Sequence, residues 1–186
     1  EADKVIQGVG YTEGHGCFIG CTIQAYKRTN FANILGWPLW LVDLAEQIFE
    51  QLAPSKAAQF GTDLLEAVPV GVDLDLLLAQ VVQERLANLL AWLAKNPGKD
   101  ASIAESYIIQ ASLACRSPEQ LRSFTKQRYL HPLSYSVRTN AQRVLDQVVN
   151  SLYVLELEGD FCYCAFQPIV EQERDSLLAI LRGAHD

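Results

Sequence analysis

Residues 74–93, LDLLLAQVVQERLANLLAWL, decide the fold class. Leu74, Leu77, Leu78, Val81, Val82, Leu86, Leu89, Leu90 and Leu93 keep an i, i+3, i+4, i+7 pattern, the spacing that puts side chains on one face of an α-helix. Leu76, Ala79, Ala87, Ala91 and Trp92 widen that stripe beyond a single face, which predicts a helix buried on most of its sides and the most buried element of the chain. Asp73 stands where an N-cap is needed, and Asn96-Pro97-Gly98 supplies breaker chemistry at the other end.

Working outward from this helix, the same periodicity recurs in nearly every segment between breakers. Toward the N-terminus, Pro38 opens a helix over roughly 38–53. Its stripe is Leu41, Ala45, Ile48 and Leu52, with Asp43, Glu46, Gln47 and Glu50 facing outward. Pro54-Ser55 punctuates it, and Ala58, Leu64, Leu65 and Val68 carry a second helix that must stop at Pro69. Thr22–Asn33 is polar and ambiguous, with a short helix expected to begin near Gly20. Toward the C-terminus, a helix over 101–115 is followed by Ser117-Pro118-Glu119-Gln120. There a serine hydroxyl can accept from the N3 amide while the glutamine reaches back, so a capping box starts the next helix. Further helical stripes run through Val137–Leu152 and, opened by Pro168, through Val170, Leu177, Leu178 and Leu181. The segment 152–166, LYVLELEGDFCYCAF, suits a minor β-hairpin about Glu158-Gly159-Asp160 or a helix–turn–helix in its local chemistry, and the preceding stripe continuing through Leu152 and Leu155 tips the reading to helix–turn–helix. The reading is all-α: a single helical domain of six to eight helices.

Composition narrows the function classes. A chain of 186 residues with 49% hydrophobic and 20% charged residues can bury one sizeable core without staples. The formal charge of −7 repels phosphate backbones, so a nucleic-acid partner is not expected. Five cysteines are an odd number with no secretory leader pattern around them, which favours reduced thiols and a cytoplasmic location. The longest apolar run, Ile34–Val42, is interrupted by Gly36 and Pro38 and falls well short of the roughly 20 residues that span a bilayer, so no membrane partner is expected.

One stretch departs from the helical pattern. Gly8–Thr22, GVGYTEGHGCFIGCT, holds five of the eleven glycines, one histidine and two cysteines. Glycine at that density, interleaved with aromatic and apolar residues, marks a shaped loop. At GCFIGCT (16–22), with LGWPLWL (35–41), IFE (48–50) and AVPVGVD (67–73), the chain resembles a group of bacterial and phage-encoded proteins. These share G-C-x-x-G-C-T followed by a helix and A-[IV]-P-x-G-x-D, over roughly residues 14–75. The group has no established activity, so the resemblance implies that the N-terminal block matters and supplies no catalytic residue.

Three constellations compete for chemistry. His15, Cys17 and Cys21 with Cys162 and Cys164 could furnish four zinc ligands if the fold joined them. The spacing is not that of a knuckle, however, and buried thiols pack as small hydrophobes, so no metal and no cofactor is assigned. Cys21 or Cys17 could be a nucleophile with His15 or His131 as base. Cys21, placed after Gly20 at an expected helix start, would be the more thiolate-prone of the two. Gly14, Gly16 and Gly20 could contact a ligand, and Arg122 and Lys126, at i, i+4 in a span rich in cations, could contact an anion. The expectation is a non-enzymatic helical binding or interaction module that self-associates, most simply as a homodimer through Trp37 and Trp40 with Phe31, Ile34 and Leu39, although the same cluster suits a core location in the monomer nearly as well. The alternative is a thiol-dependent enzyme using Cys21 or Cys17 with His15.

Overall fold

The computed structural model describes residues 4–95, 105, 109, 112, 113 and 167–184. The chain gathers into two compact units, one made of Glu1–Asp75 with Val170–Asp186 and the other of Leu76–Ile169. Three two-residue strands come first: β1 (Lys4–Val5), β2 (Tyr11–Thr12) and β3 (His15–Gly16). The helices α1 (Phe18–Ile23), α2 (Arg28–Leu35), α3 (Leu39–Gln51) and α4 (Pro54–Ala67) follow. A 3-10 turn (Leu74–Leu77) then leads into α5 (Leu78–Lys95), and α6 (Gln167–Gly183) comes near the end of the chain. The protein is mostly helical with a minor β element, as the periodicity predicts. That β element is the N-terminal sheet. Segment 152–166 and the helices expected over 117–129 and 137–152 lie outside the described residues. Of the helix expected over 101–115, Glu105, Ile109, Ser112 and Leu113 are helical.

The breakers place the boundaries. Pro38 sits at the N-cap of α3 and Pro54 at the start of α4, where a missing N–H costs nothing; α4 ends at Ala67, just ahead of Pro69. Thr22–Asn33 corrects the expectation of one helix beginning near Gly20. It contains the end of α1, a left-handed turn at Gln24, and the start of α2. The helix that was to begin near Gly20 begins instead at Phe18, with Cys17 as its N-cap.

In the first unit, α3 is the spine. Trp40, Leu41, Val42, Leu44, Ala45, Ile48 and Phe49 are all buried. Phe18 of α1 is the aromatic hub. Its ring meets Phe31 of α2 edge-on at a centroid distance of 5.8 Å, Phe49 of α3 at 5.4 Å and Phe60 of α4 at 6.5 Å, while Phe31 in turn meets Trp37 at 5.4 Å. Tilted and edge-to-face pairs at such separations add to what burial alone contributes. Buried indole nitrogens need a partner, and Trp40 Nε1 donates to Asp75 Oδ1 at 2.9 Å. From α6, Val170, Leu177, Leu178 and Leu181 are buried, and Glu171 pairs with Lys56 of α4 at 2.6 Å.

Two expectations about packing are settled here. Phe31, Trp37 and Trp40, which could supply a dimer surface or a core, are internal to this unit; Leu39 is half-buried and Ile34, at 65% exposure, faces solvent. Apolar side chains on a short helix are hidden when three neighbouring helices converge on them. In the second unit, α5 buries Val81, Val82, Leu86 and Leu89 on one stripe, together with Asn88 and Arg85. Ala79, Gln80, Glu84, Ala87 and Ala91 are exposed, and Leu76 ahead of it is 76% exposed. It is therefore an amphipathic helix with one buried face, and α3 is the more enclosed of the two. Gln83 of α5 binds Ser112 twice, through Nε2 to the backbone oxygen at 2.8 Å and through Oε1, which accepts from Oγ at 2.9 Å.

Candidate functional site

The glycine-rich block folds into a small sheet and the first helix. Thr12 and His15 are register partners, leaving Glu13 and Gly14 as a two-residue turn with φ of 46° and 78°. Positive φ at both central positions is the primed hairpin turn, whose twist matches that of the strands, and it explains why a glycine is needed at 14. β1 then joins β3 in parallel, with Lys4 N donating to Gly14 O at 2.7 Å and Ile6 N to Gly16 O at 2.8 Å.

The returning segment Val9–Gly10 is held by Cys17, whose backbone N–H is shared between Val9 O (2.7 Å) and Gly10 O (3.2 Å). Gly10 O lies so close to Gly16 and Gly20 that a Cβ on either would stand 2.4 or 1.9 Å from it. These two glycines exist to admit a carbonyl of their own chain. The space that a ligand-cradling reading would give to a bound molecule at Gly16 and Gly20 is filled by Gly10, and Gly14 serves the turn.

Cys17 is the N-cap of α1. Its Sγ accepts from Gly20 N at 3.5 Å, and the residue is 1% exposed. Burial pushes its thiol up, outweighing the Gly20 and Ile19 N–H groups that favour the thiolate; the Glu46 and Glu50 charges push the same way as burial. Cys21 is four residues into the helix and half-buried. Its single S–H is shared between Gly16 O at 3.3 Å and Lys4 O at 3.6 Å. The capping position expected for Cys21 belongs to Cys17, because the helix starts earlier than Gly20. His15 is exposed on β3 and its Nδ1–H donates to Glu13 O at 3.0 Å. Among the described residues, no three His, Cys, Asp or Glu side chains are gathered to hold a metal ion, so His15, Cys17 and Cys21 do not form such a group. His131, Cys162, Cys164, Arg122 and Lys126 lie outside the described residues.

Sequence reasoning missed a polar network on α3. Asp43, Glu46 and Glu50, expected to face solvent, are covered by the chain ahead of them: the Asp43 and Glu46 side chains are each only 13% exposed. Arg28 Nη1 pairs with Asp43 Oδ1 at 3.0 Å and Glu46 Oε2 at 3.3 Å, while Tyr26 OH donates to Glu46 Oε1 at 2.5 Å. Gly8 N donates to Glu50 Oε2 at 2.8 Å, and Gln7 Nε2 donates to Phe49 O and Leu52 O at 2.5 and 2.8 Å.

The network shifts its members. Burial and then the Glu46 carboxylate push Tyr26 up to about 12. Burial likewise raises Glu46, more than the Tyr26 hydrogen bond and the Arg28 charge lower it. For Arg28, burial works against the charge, and Glu46 and Asp43 overcome it. The i, i+3, i+7 spacing of the three acids was the available signal, since it aligns them on one face of the helix. Comparison of the chain with protein-family models, with curated proteins and with solved structures found no match.

Proposed function

We propose that the chain is a non-enzymatic helical binding or interaction module in which residues 8–22 are a shaped structural element. The single observation that carries this reading is that the distinctive residues of the block are used internally: Gly10 O fills the space at Gly16 and Gly20, Cys17 caps α1, and the Cys21 S–H is given to backbone oxygens. A nucleophilic thiol needs access and a path to thiolate. Cys17 lacks access, and Cys21 is engaged as a donor, which weighs against the thiol-enzyme alternative with His15 as base.

Self-association belongs to the same proposal, and with Phe31, Trp37 and Trp40 internal it would use exposed apolar residues of the first unit such as Ile34 and Val70. A cytoplasmic location is proposed from the odd cysteine count and from Cys17 and Cys21, neither of which is in a disulfide. No helix among the described residues is long and apolar enough to cross a membrane.

Native mass spectrometry of the purified chain, before and after alkylation of accessible thiols, tests the reading. Expected are the 20.7 kDa polypeptide and its twofold assembly, with no stoichiometric small molecule or metal. A stoichiometric metal lost on alkylation of Cys17 or Cys21, or an acyl adduct that blocks alkylation of either and is released by hydroxylamine, would overturn it.

A further inference from the structure

The linker between α1 and α2 is the most accessible stretch among the described residues. Residues 24–30 are seven exposed positions in a row, the longest such run, and Ala25, Tyr26 and Lys27 belong to no helix or strand. Two basic residues, Lys27 and Arg28, stand side by side where α2 begins. Exposed chain of polar residues between packed elements is where proteases nick folded proteins.

Exposure alone does not select a cutting site, because the backbone must also fit. The side chains of Arg28 and of Lys56 on α4 are equally exposed, at 44%, yet Lys56 lies inside a helix. A cleft that binds chain as an extended strand must first unwind a helical lysine on both sides. Lys27 has φ −151° and ψ 101°, which is extended already. Among the described residues no ion pair holds its ammonium, whereas Arg28 is engaged by Asp43 and Glu46. On the far side of the bond, the Lys27 carbonyl accepts from Asn30 N and Phe31 N, both at 3.0 Å, so the first turn of α2 has to open. That turn has no side-chain cap, and an uncapped helix end frays at low free energy. Phe31, 0% exposed, confines the fraying to that turn.

We propose that the Lys27–Arg28 peptide bond is a processing site for a protease that reads basic residues, and that the cut chain stays together as a nicked two-chain molecule. Hydrolysis breaks the C–N bond of this peptide. Water gives its hydroxyl to the Lys27 carbonyl carbon and a proton to the Arg28 nitrogen, and the resulting acid and amine ionise to carboxylate and ammonium. Segment 1–27 is retained because its ties to the remainder do not run through the broken bond. The Phe18 ring packs on Phe31, Phe49 and Phe60. Gln7 Nε2 donates to Phe49 O and Leu52 O, Gly8 N to Glu50, and the Tyr26 hydroxyl to Glu46. The inference goes beyond the binding-module reading and does not rest on it.

The test is brief digestion of the full chain with a lysine-specific endopeptidase, read by intact-mass spectrometry at early times and by gel filtration with and without denaturant. Cleavage after Lys27 should outpace cleavage after Lys56 on the order of tenfold, and should depend on urea far less steeply than global unfolding does, as local opening requires. The two fragments should co-elute in native buffer and separate in denaturant. Lys27→Arg, which keeps the charge, should block this cut for the lysine-specific enzyme and still be cut there by trypsin. Equal rates at Lys27 and Lys56, or a cut after Lys27 only where urea unfolds the chain, would overturn the site. Separation of fragment 1–27 in native buffer would overturn the nicked product.

Discussion

Helices α3 and α5 make an instructive pair. α5 comes from the stretch with the longer apolar pattern, yet α3 is the better enclosed: seven of its thirteen residues are buried, and its acidic face is covered as well. α5 leaves Gln80, Glu84, Ala87 and Ala91 in solvent. Counting leucines measures how much a helix could bury. What is buried depends on how many other elements are drawn to it, and α3 is approached by α1, α2, α4 and the N-terminal segment. The pair also shows two ways of treating charge: α5 turns its glutamate to water, whereas α3 keeps Asp43 and Glu46 under Arg28 and Tyr26.

The largest expected effect tests the core side of this contrast. Ala45 on α3 is 0% exposed, and Ala45→Lys must either bury an ammonium without a partner or push the helix off its neighbours. The cost should exceed about 4 kcal/mol and is expected to abolish cooperative unfolding of the first unit, measured by urea denaturation with near-ultraviolet circular dichroism. A variant that melts like the wild type would show that α3 is not the spine.

Next comes the element that covers α3. Gly20→Ala gains helix propensity but places a Cβ 1.9 Å from a backbone oxygen, which cannot rotate away as a side chain would. A cost of about 1–3 kcal/mol is expected, the usual range for overpacking a tight site. A stabilised variant would mean that Gly10 does not occupy that space, and would reopen the ligand reading of the block.

These residues also show what the sequence makes legible. Prolines 38, 54, 69 and 168 mark the ends of α3, α4 and α6 closely because a missing N–H and a fixed φ act locally, whatever the rest of the chain does. The break between α1 and α2 has no proline or glycine to announce it; the turn is made at Gln24, a residue with no special preference for a left-handed φ. Glu13-Gly14 is a weak hairpin signal: glycine suits the second position, but glutamate does not favour the positive φ of the first, and the strands beside it are two residues long. The partners of Gly16 and Gly20 are not legible at all, since nothing local says that the carbonyl of Gly10 will return to them. The same holds for the acids of α3, whose spacing reveals a shared face and not that residues 7, 8, 26 and 28 come back to cover it.

The buried charge on α3 gives a smaller effect with a definite sign. Because the folded-state pKa of Glu46 is raised above 4.5, the native state binds its proton more tightly than the unfolded chain does. The group's contribution to stability is therefore greatest below about pH 4.5 and declines as pH rises through the folded value. Glu46→Gln removes the charge while leaving an oxygen to accept from Tyr26, and Asp43 remains for Arg28. At pH 7 the variant should be neutral or more stable by up to about 1 kcal/mol, as when a buried ion is replaced by a neutral group. The difference should shrink toward zero in acid. A loss of stability at pH 7 that fades as the pH falls to 4 would mean that the Arg28 pair outweighs the burial.

The smallest effect closes the comparison by repeating the first substitution on the other helix. Ala87 on α5 is exposed, and lysine is nearly as good a helix former as alanine, so Ala87→Lys buries nothing and strains nothing. It introduces a cation three residues after Glu84, also exposed, on the same helix face, the order in which an acid and a base attract best. A gain of about 0.2–0.5 kcal/mol is expected for that pair, reduced by added salt because both groups are in water. Thermal unfolding at low and high ionic strength reads both terms. If Ala87→Lys instead cost as much as Ala45→Lys, α5 would be enclosed on its alanine face after all, and the contrast between the two helices would fail at the point where the leucine pattern and the observed burial disagree.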